Sequence, residues 1–287
     1  MKIINYLKAA FGILAVLPSI IYSQTVTPYA PELFSSSTSG AVCGFSNNGN
    51  LIYFVREDIL KDKLFIYQAE RNDNLWVNAQ ILPFSGVYND MGGRLTPDGK
   101  KFYFTSDRPG GSSRENDVWN IWVSELTDNK WSKAKPLKEI NDLGNECCGT
   151  PLDNSNLLFS SDNLDGRAWW IYNWDGTEIT TIKNLTINDA WQWPSYYDQD
   201  LKLLFFNSMK RPDTHGKDDV YVSFLDNGKW ASPLNIGNVV NTEIYEDGAI
   251  LSFDKKILLF NQHTGTSSSR VMQVEWQPIY DQIMNRE

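Results

Sequence analysis

The feature that most constrains this chain is a unit of tight turn followed by apolar strand that returns five times. Its fullest copy is Leu95-Thr96-Pro97-Asp98-Gly99-Lys100-Lys101-Phe102-Tyr103-Phe104. Proline presets φ at the second turn position, aspartate tolerates the third, and glycine takes the left-handed site that closes the hairpin. Looser copies are Asn47-Asn48-Gly49-Asn50 before Leu51-Ile52-Tyr53-Phe54, Asp153-Asn154-Ser155-Asn156 before Leu157-Leu158-Phe159, Asp198-Gln199-Asp200 before Leu203 to Phe206, and Asp254-Lys255-Lys256 before Ile257 to Phe260. Anchored on Phe54, Phe104, Phe159, Phe206 and Phe260, the copies recur about every 50 residues, a period that belongs to arrays and propellers.

Each repeat also predicts a strand entering the turn, a polar loop and a third strand such as Asn120-Ile121-Trp122-Val123 or Asp219-Val220-Tyr221-Val222. An outer strand follows, opened by Trp76, Trp131 or Trp230. Four strands per repeat make a propeller blade. The anchor strands are apolar without alternation, so both their faces must be covered, which stacked antiparallel sheets achieve. Counting back from the anchors gives Cys43, Gly93, Cys148, Ser195 and Ala249, small residues suited to inner strands that converge on a narrow axis. The expected fold is an all-β propeller of five four-stranded blades, closed by an N-terminal strand; six blades is the alternative. The last repeat has Val271 to Val274 but no outer strand, and the segment at Glu32-Leu33-Phe34 is expected to fill that place.

Residues 1–23 differ in character. Lys2 and Lys8 precede an apolar run from Ala9 to Ile21 without an acidic residue, the pattern of a secretory signal peptide cut near Ser23. The run is shorter than the roughly 20 residues a membrane-crossing helix needs. The expected organisation is a signal peptide over 1–23 and a single propeller over 24–287, periplasmic or secreted, and not an integral membrane protein. The formal charge of −9 becomes more negative once Lys2 and Lys8 are removed, which argues against nucleic acid as a partner. Three cysteines cannot complete a disulfide framework. Buried free thiols are expected, with a Cys43 to Cys148 bridge as the alternative because both count to the same repeat position.

Pro97-Asp98-Gly99-Lys100, the Asn120-Ile121-Trp122 and Asp219-Val220-Tyr221 strands, and Trp76, Trp131 and Trp230 give the chain a resemblance to the PD40 family, the WD40-like repeats of TolB-type propellers. The likeness spans about Pro31 to Trp276. It implies a binding or scaffolding module of the bacterial envelope.

A second recurring pattern precedes the last four repeats: Asn89-Asp90, Asn141-Asp142 with Asn145-Glu146, Asn188-Asp189, and Asn241-Thr242 with Glu246-Asp247. In one reading these residues satisfy backbone groups where inner strands begin. In the other, Asp90, Asn141, Glu146, Asp189, Asn241 and Glu246 ring one channel mouth, with Trp191 and Trp193 as stacking faces for a polyhydroxylated ligand. Oxygen ligands of this kind would suit calcium, although no Asp-x-Asp-x-Asp-Gly loop accompanies them, and no other cofactor is expected. His215 and His263 fall in segments read as polar loops, which argues against a histidine-based triad or a zinc cluster. Arg108 and Arg211, in equivalent loops, are expected to be solvated. The functional expectation is a non-catalytic exported module that binds an envelope or extracellular protein, or a glycan, at this mouth. The alternative is a glycoside hydrolase-like enzyme using two of the mouth carboxylates as acid and base.

Overall fold

In a computed structural model, residues 24–35, 37, 39–113, 119–163, 168–265 and 268–286 are described. The signal-peptide expectation over 1–23 lies outside them. The described residues form five antiparallel sheets. Blade one contains Gly40–Phe45, Leu51–Asp58, Lys63–Asn72 and Leu75–Ile81. Blade two contains Asp90–Leu95, Lys101–Ser106 and Asn120–Thr127, with an outer edge split into Lys130–Trp131 and Lys135–Pro136. Blade three runs from Glu146–Pro151 through Leu157–Ser161 and Trp170–Trp174 to Ile179–Thr181. Blade four has Gln192–Asp198, Leu203–Ser208, Asp219–Asp226 and a split edge of Lys229–Trp230 and Leu234–Asn235. Blade five joins Glu246–Leu251, Ile257–His263 and Ser269–Glu275 to Thr27–Pro28 from the other end of the chain.

The anchor strands are buried on both faces, as their unbroken apolar pattern demands, and Phe54, Phe104, Phe159, Phe206 and Phe260 all lie in the core between blades. The closing strand corrects one expectation. Thr27 and Pro28 pair with Gln273 and Met272, whereas Glu32-Leu33-Phe34 lies in a one-turn helix, Pro31–Phe34, with proline in its first turn. That helix still serves closure, because Leu33 is buried and Glu32 accepts the Trp76 backbone N–H at 3.1 Å. The tail after blade five is a second helix, Trp276–Met284, which buries Trp276, Ile279 and Ile283 against blades four and five. No helix among the described residues is long and apolar enough to cross a membrane.

All five inner strands carry a register shift at the same level: between Val42 and Gly44, Met91 and Arg94, Cys147 and Thr150, Pro194 and Tyr196, and Asp247 and Ile250. A bulge bends a strand and raises its twist, and here it turns each strand along the axis. The small residues sit at these bulges, with one correction. Aligned on the register, the third blade's equivalent of Gly93 is Gly149, and Cys148 matches Gly92 and Gly248 instead. The hairpin of blade three is one residue shorter, so counting from Phe159 landed one residue early.

The repeated turns also hold one another. Asn47 donates to the Pro97 carbonyl at 3.1 Å, Asn154 accepts from Asp98 N–H at 3.3 Å, and Gln199 donates to the Leu152 carbonyl at 2.7 Å. Lys255 pairs with Asp198 at 2.9 Å and Asp200 at 2.5 Å, and Phe253 packs on Phe45. The turns thus link neighbour to neighbour around one end of the axis.

Candidate functional site

The axis opens at both ends. At the end where the repeated turns meet lies a cavity of about 340 Å3 bordered by Phe45, Tyr196, Tyr197, Phe253, Asp198 and Lys255. At the end where inner strands begin lies one of about 420 Å3. Cys43, Arg94 and Thr150 line both, and so form the throat between them. Arg94 is buried there and its guanidinium donates to three backbone carbonyls, those of Ser195, Val42 and Gly93. Burial pulls its pKa down.

The expected site residues divide by the pleat of the inner strands. Successive side chains of a strand point to opposite faces. Asp90, Glu146 and Glu246, each first in its inner strand, are fully buried in the blades and absent from the cavity wall. Asp90 meets Arg108 at 2.5 Å and accepts from Ser85 at 2.6 Å. Burial nevertheless outweighs the nearby guanidinium and raises its pKa. Glu146 accepts from the Gly144 N–H at 2.6 Å and Ser161 at 3.2 Å. Glu246 accepts from the Thr242 N–H at 2.9 Å, the Thr242 hydroxyl at 2.5 Å and Gln262 at 3.3 Å. Asn141 and Asn241 clamp backbone identically: each accepts an N–H and donates to the carbonyl of one residue, Ile121 and Val220 respectively, at 2.8–3.0 Å. Asp189 is exposed with φ 58°.

The second residue of each inner strand in blades two to five faces the opening. Met91, Cys147, Trp193 and Asp247 line the larger cavity together with Trp169, Trp191 and His263. Trp191 and Trp193 are therefore at this mouth, beside a third tryptophan that pattern reasoning did not single out. Trp169 bridges Trp191 in parallel, and the Gln192 N–H donates to its carbonyl at 3.0 Å.

His263 corrects a second expectation. It is the last residue of the strand Ile257–His263, not part of a loop, and its Nε2 lies 2.9 Å from Asp247 Oδ2. Asp247 Oδ1 accepts from Asn261 at 2.8 Å, so both carboxylate oxygens are engaged. The hydrogen bond to Asp247 raises the His263 pKa against the opposing effect of burial. Behind the pair, Asp218 is buried, and desolvation together with the charge of Asp247 lifts its pKa well above the carboxylate range. His263 could have been found from the repeat alone, since it stands three residues past its anchor Phe, where blades two and three carry Asp107 and Asp162.

Arg108 and Arg211 are not solvated. Arg108 lies 4.9 Å from the Phe104 ring and 5.1 Å from Trp122, and Arg211 lies 5.2 Å from both Phe206 and Tyr221. Each guanidinium ties a loop to the blade core by stacking. All three cysteines are free, which removes the Cys43 to Cys148 bridge; the Cys148 sulfur meets that of Cys147 instead. No group of three or more His, Cys, Asp or Glu placed to hold a metal ion occurs among the described residues.

No family model and no curated protein matches the chain. Solved structures do. An endo-arabinase from Bacteroides thetaiotaomicron is 11% identical, with 88% of this chain and 97% of that one aligned at a TM-score of 0.56. A thermostable family-43 glycoside hydrolase is 13% identical, covering 83% of this chain and 88% of that one at 0.54. A TolB-like protein from Agrobacterium tumefaciens is 16% identical over 81% of this chain and 73% of that one, at 0.47. The chain is thus a five-bladed propeller. These matches overturn the expectation of a non-catalytic scaffold, which leaned on TolB-type resemblance. The better superpositions are with proteins named as carbohydrate enzymes, and at such identities they speak for the fold.

Proposed function

We propose that the protein is a carbohydrate-active enzyme that binds a glycan at the tryptophan-lined mouth and cleaves it by proton transfer. The observation that carries this reading is the His263–Asp247 pair on the wall of that cavity, 2.9 Å apart, among Trp169, Trp191 and Trp193. Indole faces offer apolar, flat surfaces to sugar rings, and an imidazole held by a carboxylate serves as general acid or base. With its pKa raised, His263 supplies a proton to a leaving oxygen, and the imidazole so formed then accepts one from water. Asp247 fixes the ring and its charge. Asp218, its pKa pushed up chiefly by burial, lies behind the pair.

Asp90, Glu146 and Glu246 enter this proposal as groups that set the loops around the mouth, and Asp189 as a rim residue. Calcium has no role in it. Export fits such a substrate, with residues 1–23 as the signal and 24–287 as the mature domain; N-terminal sequencing of protein recovered from the envelope and medium tests that. The PD40 kinship of the repeat belongs to the same reading, supported by the turn at Pro97-Asp98-Gly99.

The test is a screen of wild type against plant and microbial oligosaccharides, followed by Asp247→Asn, His263→Gln, Glu146→Gln and Glu246→Gln. The first two are expected to lower kcat by about 10²- to 10⁴-fold, the range of one general acid–base. The glutamate changes are expected to lower the melting temperature with a smaller loss of kcat. Turnover that is indifferent to both Asp247→Asn and His263→Gln would sink the proposal.

A further inference from the structure

Cys147 and Cys148 stand side by side in the wall of the larger cavity, with their sulfurs 2.8 Å apart. An ordinary strand forbids this, because adjacent side chains point to opposite faces. The bulge of blade three overrides it. Cys148 has φ 63°, a left-handed conformation that is strained for a residue bearing Cβ. The matching positions in blades two and five are Gly92 at 60° and Gly248 at 64°, residues that adopt it freely. Blade three thus puts a cysteine where the backbone calls for glycine, and the outcome is two thiols facing one another. The conformation is held from both sides: the Cys148 N–H donates to Thr105 Oγ1 at 3.0 Å, and its carbonyl accepts from Thr150 Oγ1 at 3.1 Å.

We infer that Cys147 and Cys148 form a reversible dithiol–disulfide pair that changes the wall of the mouth with redox conditions. Closure proceeds by exchange with an external disulfide. One cysteine, as thiolate, attacks a sulfur of that disulfide and releases one thiol. The other cysteine then displaces the second thiol and closes an eight-membered ring. Two protein thiols are oxidised, one external disulfide is reduced to two thiols, and the cysteine protons end on the released thiols or on solvent. Burial and the adjoining Cys148 push the Cys147 thiol up, so Cys147 is not a standing nucleophile. Adjacent Cα atoms across a trans peptide are about 3.8 Å apart, closer than the roughly 4.4–6.8 Å of an ordinary disulfide, so the ring is strained. Strained, accessible disulfides are the reducible, regulatory ones. Cys43, buried in the throat region, is the internal control.

The experiment is intact and peptide mass analysis of the folded protein after exposure to oxidised glutathione, with thiol counting. The expected product has lost two hydrogens, carries no glutathione, keeps Cys43 as a free thiol, and returns to the reduced mass with a modest excess of dithiothreitol. The companion variant Cys148→Gly is expected to fold, to melt no lower than wild type because glycine suits that φ, and to take up glutathione at Cys147 instead of closing a ring. Stable glutathione adducts on wild-type Cys147 or Cys148, or a covalent dimer through either, would overturn the inference. Should Cys148→Gly fail to fold, the wild-type masses alone decide.

Discussion

At the scale of single residues, the pleat decides which side chains reach the cavity. Asp247 and Glu246 are neighbours of like charge, yet one faces the cavity beside His263 and the other is enclosed by Thr242 and Gln262. The His263 pKa lies above its unfolded value, so its contribution to stability is fully present below the ordinary imidazole value of about 6.5. It is lost as pH rises through the higher folded value. A wild-type minus Asp247→Asn difference in unfolding free energy is therefore expected to shrink on going from mildly acidic to alkaline pH; a difference that grows would contradict the assigned pairing. Arg108 offers a second check. Arg108→Gln strips the buried Asp90 of its cation, and breaking such a pair costs about 3–5 kcal/mol, measurable by urea unfolding.

At the scale of elements, the central three strands of each blade were legible because a buried antiparallel strand next to a tight turn leaves a plain record in sequence. The closing strand was not. Thr27–Pro28 is two residues long, too short for any alternation to show, while Glu32-Leu33-Phe34 had the apolar look of a strand and a proline in front that starts a helix. Asp90, Glu146 and Glu246 were visible as a recurring set, but their direction depends on the strand pairing, which spacing alone does not carry. Trp169 stayed hidden for the same reason, whereas His263 is in plain register with Asp107 and Asp162 once the repeat is aligned on its anchor Phe. Closure is testable at this scale. Removing residues 24–30 exposes the edge of Ser269–Glu275 and takes away the Tyr29 hydroxyl that accepts from the Trp76 indole at 3.0 Å, so the melting temperature is expected to fall sharply. Leu33→Ala, which empties a buried site without touching the strand, is expected to cost about 2–5 kcal/mol.

At the scale of the whole molecule, two cavities meet at one guanidinium. Arg94 reaches carbonyls on the inner strands of blades one, two and four, and so spans the axis as a plug. Its planar fork of donors is what allows three separate acceptors, and lysine lacks that geometry. Arg94→Lys is accordingly expected to destabilise the ring by about 1–3 kcal/mol in urea titrations, through carbonyls left without a donor. The sharing of blade five between the two ends of the chain has a further consequence, for synthesis. Thr27 cannot find Gln273 until nearly the whole polypeptide has left the ribosome, which at about 5–20 residues per second means a wait of roughly 10–50 s. Until then the blades already made stand as an open arc, and the ring closes only when the first strand meets the last.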